Sequence, residues 1–198
     1  MTVRSGLTSL IDILRGMTEA GTADYNLGGT ANYWDDEQMQ MVLDRHRRDI
    51  VHEQLTSVQD WAGGTVNYFE YVSRFKNYEK TTGGTAIFYI EHSTGDDVAS
   101  VNYSVDYFRG RITFTADTGG STLYLTGRSY DLDGAAADIW RQKAGHAANM
   151  YDFSTDNHRF NRSQYMKHCM QMAQHYDSRQ GVGVGIMARS DIDDSALK

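Results

Sequence analysis

Four stretches of the sequence carry residue types that catalyse reactions or bind ligands, and each lacks a required part. His168, Cys169 and His175 could ligate zinc. Residues seven apart lie about 10.5 Å along a helix axis, however, whereas both ligands of one ion must approach it to about 2 Å. No metal site is expected there. His52-Glu53 begins like the helical zinc-protease motif, but Thr56 occupies the position of the second histidine. Gly127-Arg128-Ser129-Tyr130-Asp131 lacks the second glycine of a nucleophile elbow, so Ser129 reads as part of a turn before a helix. Gly181-Val182-Gly183-Val184-Gly185 follows a helix, opens none and lacks the full dinucleotide-loop spacing. No cofactor is expected and no nucleophile stands out, so an enzyme is not the favoured reading.

The charged clusters read as structural. Asp35, Asp36 and Glu37 sit where a helix begins, and negative charge is favoured at that end without any catalytic purpose. Arg45, His46, Arg47 and Arg48 are bracketed by Asp44 and Asp49, and on a helix consecutive residues fan around the axis, giving a solvated face. The 13 tyrosines hint at subunit contacts, since tyrosine joins apolar area to a polar edge, although β propensity explains many of them.

The periodicities divide the chain into helical ends and a β-rich middle. After Ser5, a plausible cap, Leu7, Leu10, Ile11, Leu14 and Met17 recur at helical spacing, predicting a helix over about 5–20. Asp35 with Gln38 makes a capping-box-like start for Met39, Val42, Leu43, His46 and Ile50, predicting a helix over about 36–55. Strand-like runs follow at 66–72, 86–90, 98–105, 111–116 and 122–126, with a hairpin turning at Gly110. Leu132, Ala135, Ala136, Ile139, Trp140, Lys143, Ala147 and Met150 predict a helix over about 132–150. Ser163 is read as the cap of a last one over about 163–178, with Tyr165, Met166, Cys169, Met172, Ala173 and Tyr176 along one side. Proline is absent, so glycine pairs such as Gly63-Gly64 and Gly119-Gly120 must make the turns.

The expected fold class is therefore α+β: about four helices in a bundle, a β-rich antiparallel insertion over about 66–126, and an extended arm over 181–198. Residues 1–180 form one domain, as a length of 198 residues allows. The 19 Lys and Arg against 26 Asp and Glu leave a net charge of −7, which opposes a duplex-wrapping protein. A negative wall does suit a channel through which DNA slides without sticking. Cys169 is the only cysteine, so no internal disulfide forms and assembly in a reducing cytosol is expected. No targeting segment and no membrane span are evident. The arm is either disordered or an extended segment that gains order on a partner, with Val182, Val184, Ile186 and Met187 filling pockets.

Three segments carry a resemblance. Tyr33-Trp34-Asp35-Asp36-Glu37-Gln38 runs into Leu43-Asp44-Arg45-His46-Arg47-Arg48-Asp49; Tyr130-Asp131-Leu132-Asp133-Gly134 runs through Ala135-Ala136-Ala137-Asp138-Ile139-Trp140; and Tyr151-Asp152-Phe153-Ser154-Thr155-Asp156 precedes Phe160, Arg162 and Ser163. In this order they resemble the head-to-tail connector adaptor, or head-completion, proteins of long-tailed bacteriophages. The resemblance implies a structural virion protein of the phage neck, assembled in the bacterial host cytoplasm. It implies neighbouring copies in a ring, twelve-fold to match the portal, with double-stranded DNA passing through without sequence-specific binding and a stopper or tail protein below. It assigns portal contact to Gly183, Val184, Gly185, Ile186 and Met187, and subunit packing to Trp140, Tyr151, Phe153 and Phe160. A tail-side ring component, tail completion or tail terminator, is the alternative.

Overall fold

The structure is a computed structural model and describes residues 2–20, 34–62, 64–82, 87–148, 153–155, 158–160 and 162–179. Tyr151 and the whole arm from Gly181, including Gly183, Val184, Gly185, Ile186 and Met187, lie outside the described residues. The helices are α1 (Thr8–Thr18, entered through a 3-10 turn at Ser5–Leu7), α2 (Asp36–Arg45), α3 (Leu132–Ala148) and α4 (Arg162–Arg179). The strands are β1 (Arg47–Gln54), β2 (Thr56–Ala62), β3 (Thr65–Val72), β4 (Tyr89–His92), β5 (Tyr103–Asp106), β6 (Arg111–Phe114), β7 (Leu123–Tyr130), β8 (Phe153–Thr155) and β9 (His158–Phe160). Among the described residues they form antiparallel sheets ordered β1-β7-β4 and β2-β3-β6-β5 and a β8-β9 ribbon, so the fold is mixed α+β.

Apolar spacing explains the helices. Leu7, Leu10, Ile11 and Leu14 are buried with Met39, Val42 and Leu43 of α2, much of α3, and Cys169, Ala173 and Tyr176 of α4 in one core. Alanines at 135, 136, 137, 144 and 147 are all buried, letting α1, α2 and α4 pack closely around α3. The α2 cap is as the sequence predicts: the Gln38 N–H donates to Asp35 Oδ1 (2.8 Å) and the Asp35 N–H donates to Gln38 Oε1 (2.9 Å). The last carbonyls of α1 are met from other helices. Lys143 Nζ donates to Thr18 O (2.7 Å), while Trp140 Nε1 (3.3 Å) and the Tyr176 hydroxyl (2.9 Å) donate to Met17 O. Arg15 closes the same end by donating to Ala20 O at 2.8 Å.

A second core, formed by Ile50, Leu55, Tyr71, Tyr78, Phe88, Ile90, Ile112, Phe114, Leu123 and Leu125, lies under the strands. The β5–β6 hairpin turns at Gly110, which takes φ +67°, and Ile112 and Phe114 alternate inward as expected, while Ala116 is exposed.

Several expectations are corrected. The helix predicted to run to about 55 ends at Arg45, where the His46 N–H donates to Leu43 O (2.9 Å), and the chain continues as β1. Ile50 repeats at helical spacing after Met39, Val42 and Leu43, yet it belongs to the second core. What draws residues 47–54 into a strand is pairing with β7, from Arg47 opposite Tyr130 to Gln54 opposite Tyr124. β2 was not foreseen, because Thr56, Val58, Gln59, Asp60 and Trp61 are all exposed and show no buried face. Ser129 lies inside β7, where its hydroxyl donates to Lys76 O (2.7 Å), instead of in a turn. Ser5 makes no cap; its hydroxyl donates to Thr82 Oγ1 (2.9 Å). Ser163 lies within α4, which begins at Arg162.

Candidate functional site

Two buried polar clusters fasten the helical and β cores to their connections. Arg4, just before the first turn, donates from Nε to Glu79 Oε1 (2.9 Å), from one terminal nitrogen to Asp44 Oδ2 (3.1 Å) and from the other to the Tyr130 hydroxyl (3.1 Å). Tyr130 in turn donates to Glu79 Oε2 (2.6 Å), and Glu79 is wholly buried. One guanidinium thus links the N-terminal segment, α2, the loop after β3 and the end of β7. Paired carboxylates hold the Arg4 charge firmly, pushing its pKa above the ordinary arginine range, first through the hydrogen bond to Asp44. Burial and the adjacent Glu79 raise the Tyr130 phenol well above the usual tyrosine value, so it serves as a donor.

The second cluster holds Glu53, Ser73 and Tyr78. Ser73 Oγ donates to Glu53 Oε2 (2.8 Å) and accepts from the Phe75 N–H (3.0 Å), and the Tyr78 hydroxyl reaches the same carboxylate oxygen at 3.3 Å. Glu53 Oε1 accepts from the Arg74 N–H at 3.0 Å. A serine beside a carboxylate invites a hydrolytic reading, but among the described residues no imidazole is hydrogen-bonded to this hydroxyl, which is engaged and buried. The cluster fixes the β1 bulge, where His52 takes φ +53°, to the loop after β3.

The surface holds the more open chemistry. Arg45, His46, Arg47 and Arg48 do not fan around one helix, because α2 stops at Arg45 and β1 starts at Arg47. With Arg74, Phe75, Lys76, Asn77, Ser129, Tyr130 and Asp131 they line a cleft of about 430 Å³. Some of its charge is neutralised, with Arg47 paired to Asp49 (3.0 Å) and Arg74 to Glu53 (3.4 Å), while His46 Nε2 meets Asp138 Oδ2 at 2.8 Å. Arg48 lies over the Phe75 ring, 5.1 Å from its centre. This cleft was missed by sequence reading, since it joins Arg45–Arg48 to Arg74 and Lys76 across the β2–β3 excursion.

Trp140 was assigned to subunit packing, but it is 1% exposed and occupied within its own chain by α1 and His168. Phe153 and Phe160 pair across the β8–β9 ribbon in the backbone register. Among the described residues, large apolar side chains that do face outward include Trp61 (70% exposed), Val101, Val51, Met41, Phe108 and Met170. Among the described residues no cluster of three metal-ligating side chains occurs, and no helix is long and apolar enough to cross a membrane. No protein-family model, no curated protein and no solved structure matches the chain.

Proposed function

We propose that the chain is a structural subunit of a long-tailed phage neck, an adaptor that docks on the portal as a ring and joins the DNA-filled head to the tail or stopper. The observation that carries this reading is the sharing of one core by α1, α2, α3 and α4, while the strands between α2 and α3 enclose a second core of their own. That arrangement supports a four-helix body with a β-rich insertion, the organisation implied by the resemblance. The polar clusters support it further, since they brace connections and present no open catalytic group. Exposed Trp61, Val101 and Phe108, all on the β-rich part, are suited to contact with neighbours in the neck.

The arm is assigned to portal contact through Gly183, Val184, Gly185, Ile186 and Met187, and repeated docking around a ring raises the effective concentration of every other arm. Native mass determination of the chain with its cognate portal tests the reading. A portal-dependent ring that is lost on deleting residues 181–198 is the expected result. Portal binding unchanged by the deletion overturns the assignment of the arm, and binding to tail-tube subunits in place of portal favours a tail-side ring.

A further inference from the structure

The cationic cleft holds three charges with no carboxylate partner among the described residues. These three, Arg45, Arg48 and Lys76, are exposed, whereas Arg47, Arg74 and His46 are each engaged. Asn77 also lines the cleft and has a buried acceptor. Asn77 is 3% exposed; its amide nitrogen donates to Tyr130 O (3.2 Å), and its Oδ1 has no hydrogen-bond partner. A buried acceptor left unmet is costly, so a suitable occupant brings an N–H or O–H together with its negative charge.

That pairing separates ligand classes. A phosphodiester backbone supplies charge but no donor, and a duplex would run past Asp49 and Asp131 on a chain of net charge −7. An acidic peptide supplies a carboxylate and an amide N–H at each residue. Asp191-Ile192-Asp193-Asp194 is such a segment, and it follows α4 along the chain. Arg179, at the end of α4, pairs with Asp133 (3.6 Å), and a methyl group on the next residue, Gly134, would stand 2.7 Å from Nδ1 of His46, which lines the cleft. From there the eleven residues 180–190 can reach up to about 36–40 Å, ample to return Asp191-Ile192-Asp193-Asp194 to the cleft.

We propose that the cleft formed by Arg45, Arg48, Lys76 and Asn77 is a docking site for an acidic peptide, and that its occupant is the Asp191–Asp194 segment of the same chain. Arg45 and Arg48 engage the carboxylates, Lys76 adds a point charge, and Asn77, which lines the cleft with its Oδ1 buried and unmet, accepts a backbone N–H. Residues 183–187 are left for other contacts, and the proposal does not depend on the neck reading.

A water-soluble carbodiimide, which joins a carboxylate to an amine and takes up the water released, tests the site on the full chain without portal. Peptide mapping should find Lys76 linked to Asp191, Asp193 or Asp194, with the yield falling at least five-fold at high salt and the link absent in Lys76→Arg. In an equal mixture of 14N and 15N chains the linked peptides should carry one isotope only; mixed isotopes in about half of them overturn docking within one chain. As a second measurement, the full chain carrying Asp191→Asn, Asp193→Asn and Asp194→Asn should bind a fluorescent peptide of residues 187–194 at least ten-fold more tightly than the same chain with Arg45→Glu and Arg48→Glu added. No such binding, or preference for a duplex oligonucleotide over the peptide, overturns the proposal.

Discussion

Gly110 carries the tightest approach in the β-rich part: its φ is +67°, and a methyl group there would stand 2.2 Å from Phe75 O. Gly119 has nearly the same backbone, φ +61°, with open space around it. The two alanine variants therefore separate backbone strain from collision. Urea denaturation should show about 1 kcal/mol lost in Gly119→Ala, and Gly110→Ala should lose clearly more. Equal losses would mean that the loop at Phe75 yields without cost. The buried phenols give a second expectation at this scale. Burial, with a neighbouring carboxylate, holds Tyr78 and Tyr130 above the ordinary tyrosine range. A group whose folded pKa exceeds its unfolded value of about 10 binds its proton more tightly in the fold. Its stabilising contribution is complete below that pH and is lost as pH rises towards the folded value. The urea midpoint should thus fall from about pH 10 upward, and Tyr130→Phe should flatten that fall; an unchanged slope would place the loss elsewhere.

At the scale of elements, the ends of the helices decide more than their middles. Lys143→Ala removes a buried stem and leaves Thr18 O without its 2.7 Å donor, so a loss of about 2–4 kcal/mol is expected. Asp35→Ala opens the α2 capping box and should lose only about 1 kcal/mol in the same denaturation experiment. A reversed order would show that α1 does not need its carbonyls met from α3. These elements also mark what local sequence conveys. α1, α3 and α4 were legible because the apolar spacing repeats within each, and the cap at Asp35 was legible because both partners lie within three residues. β1 was not, since Ile50 fits a helical period and its true partner, Gly127, is far along the chain. β2 lacks a buried face altogether. The cationic cleft was hidden for the same reason as β1: Lys76 and Asn77 join Arg45 and Arg48 only after β2 and β3 have formed.

For the whole molecule, the two hydrophobic cores meet through Arg4, Glu79, Tyr130 and the β1–β7 pairing. Within that frame the three tryptophans occupy opposite extremes, for Trp34 and Trp140 are 1% exposed and Trp61 is 70% exposed. Emission from the molecule consequently has two origins, a shielded blue component and a hydrated red one. Iodide should quench the red component alone, and Trp61→Phe should abolish that quenching with the fold intact. If neighbours assemble over the β2–β3 ribbon, the red component should shift blue and become inaccessible to iodide as the concentration rises. An emission spectrum indifferent to assembly would put the contact on another face, so the unmodified chain already contains its own optical gauge of which side it joins.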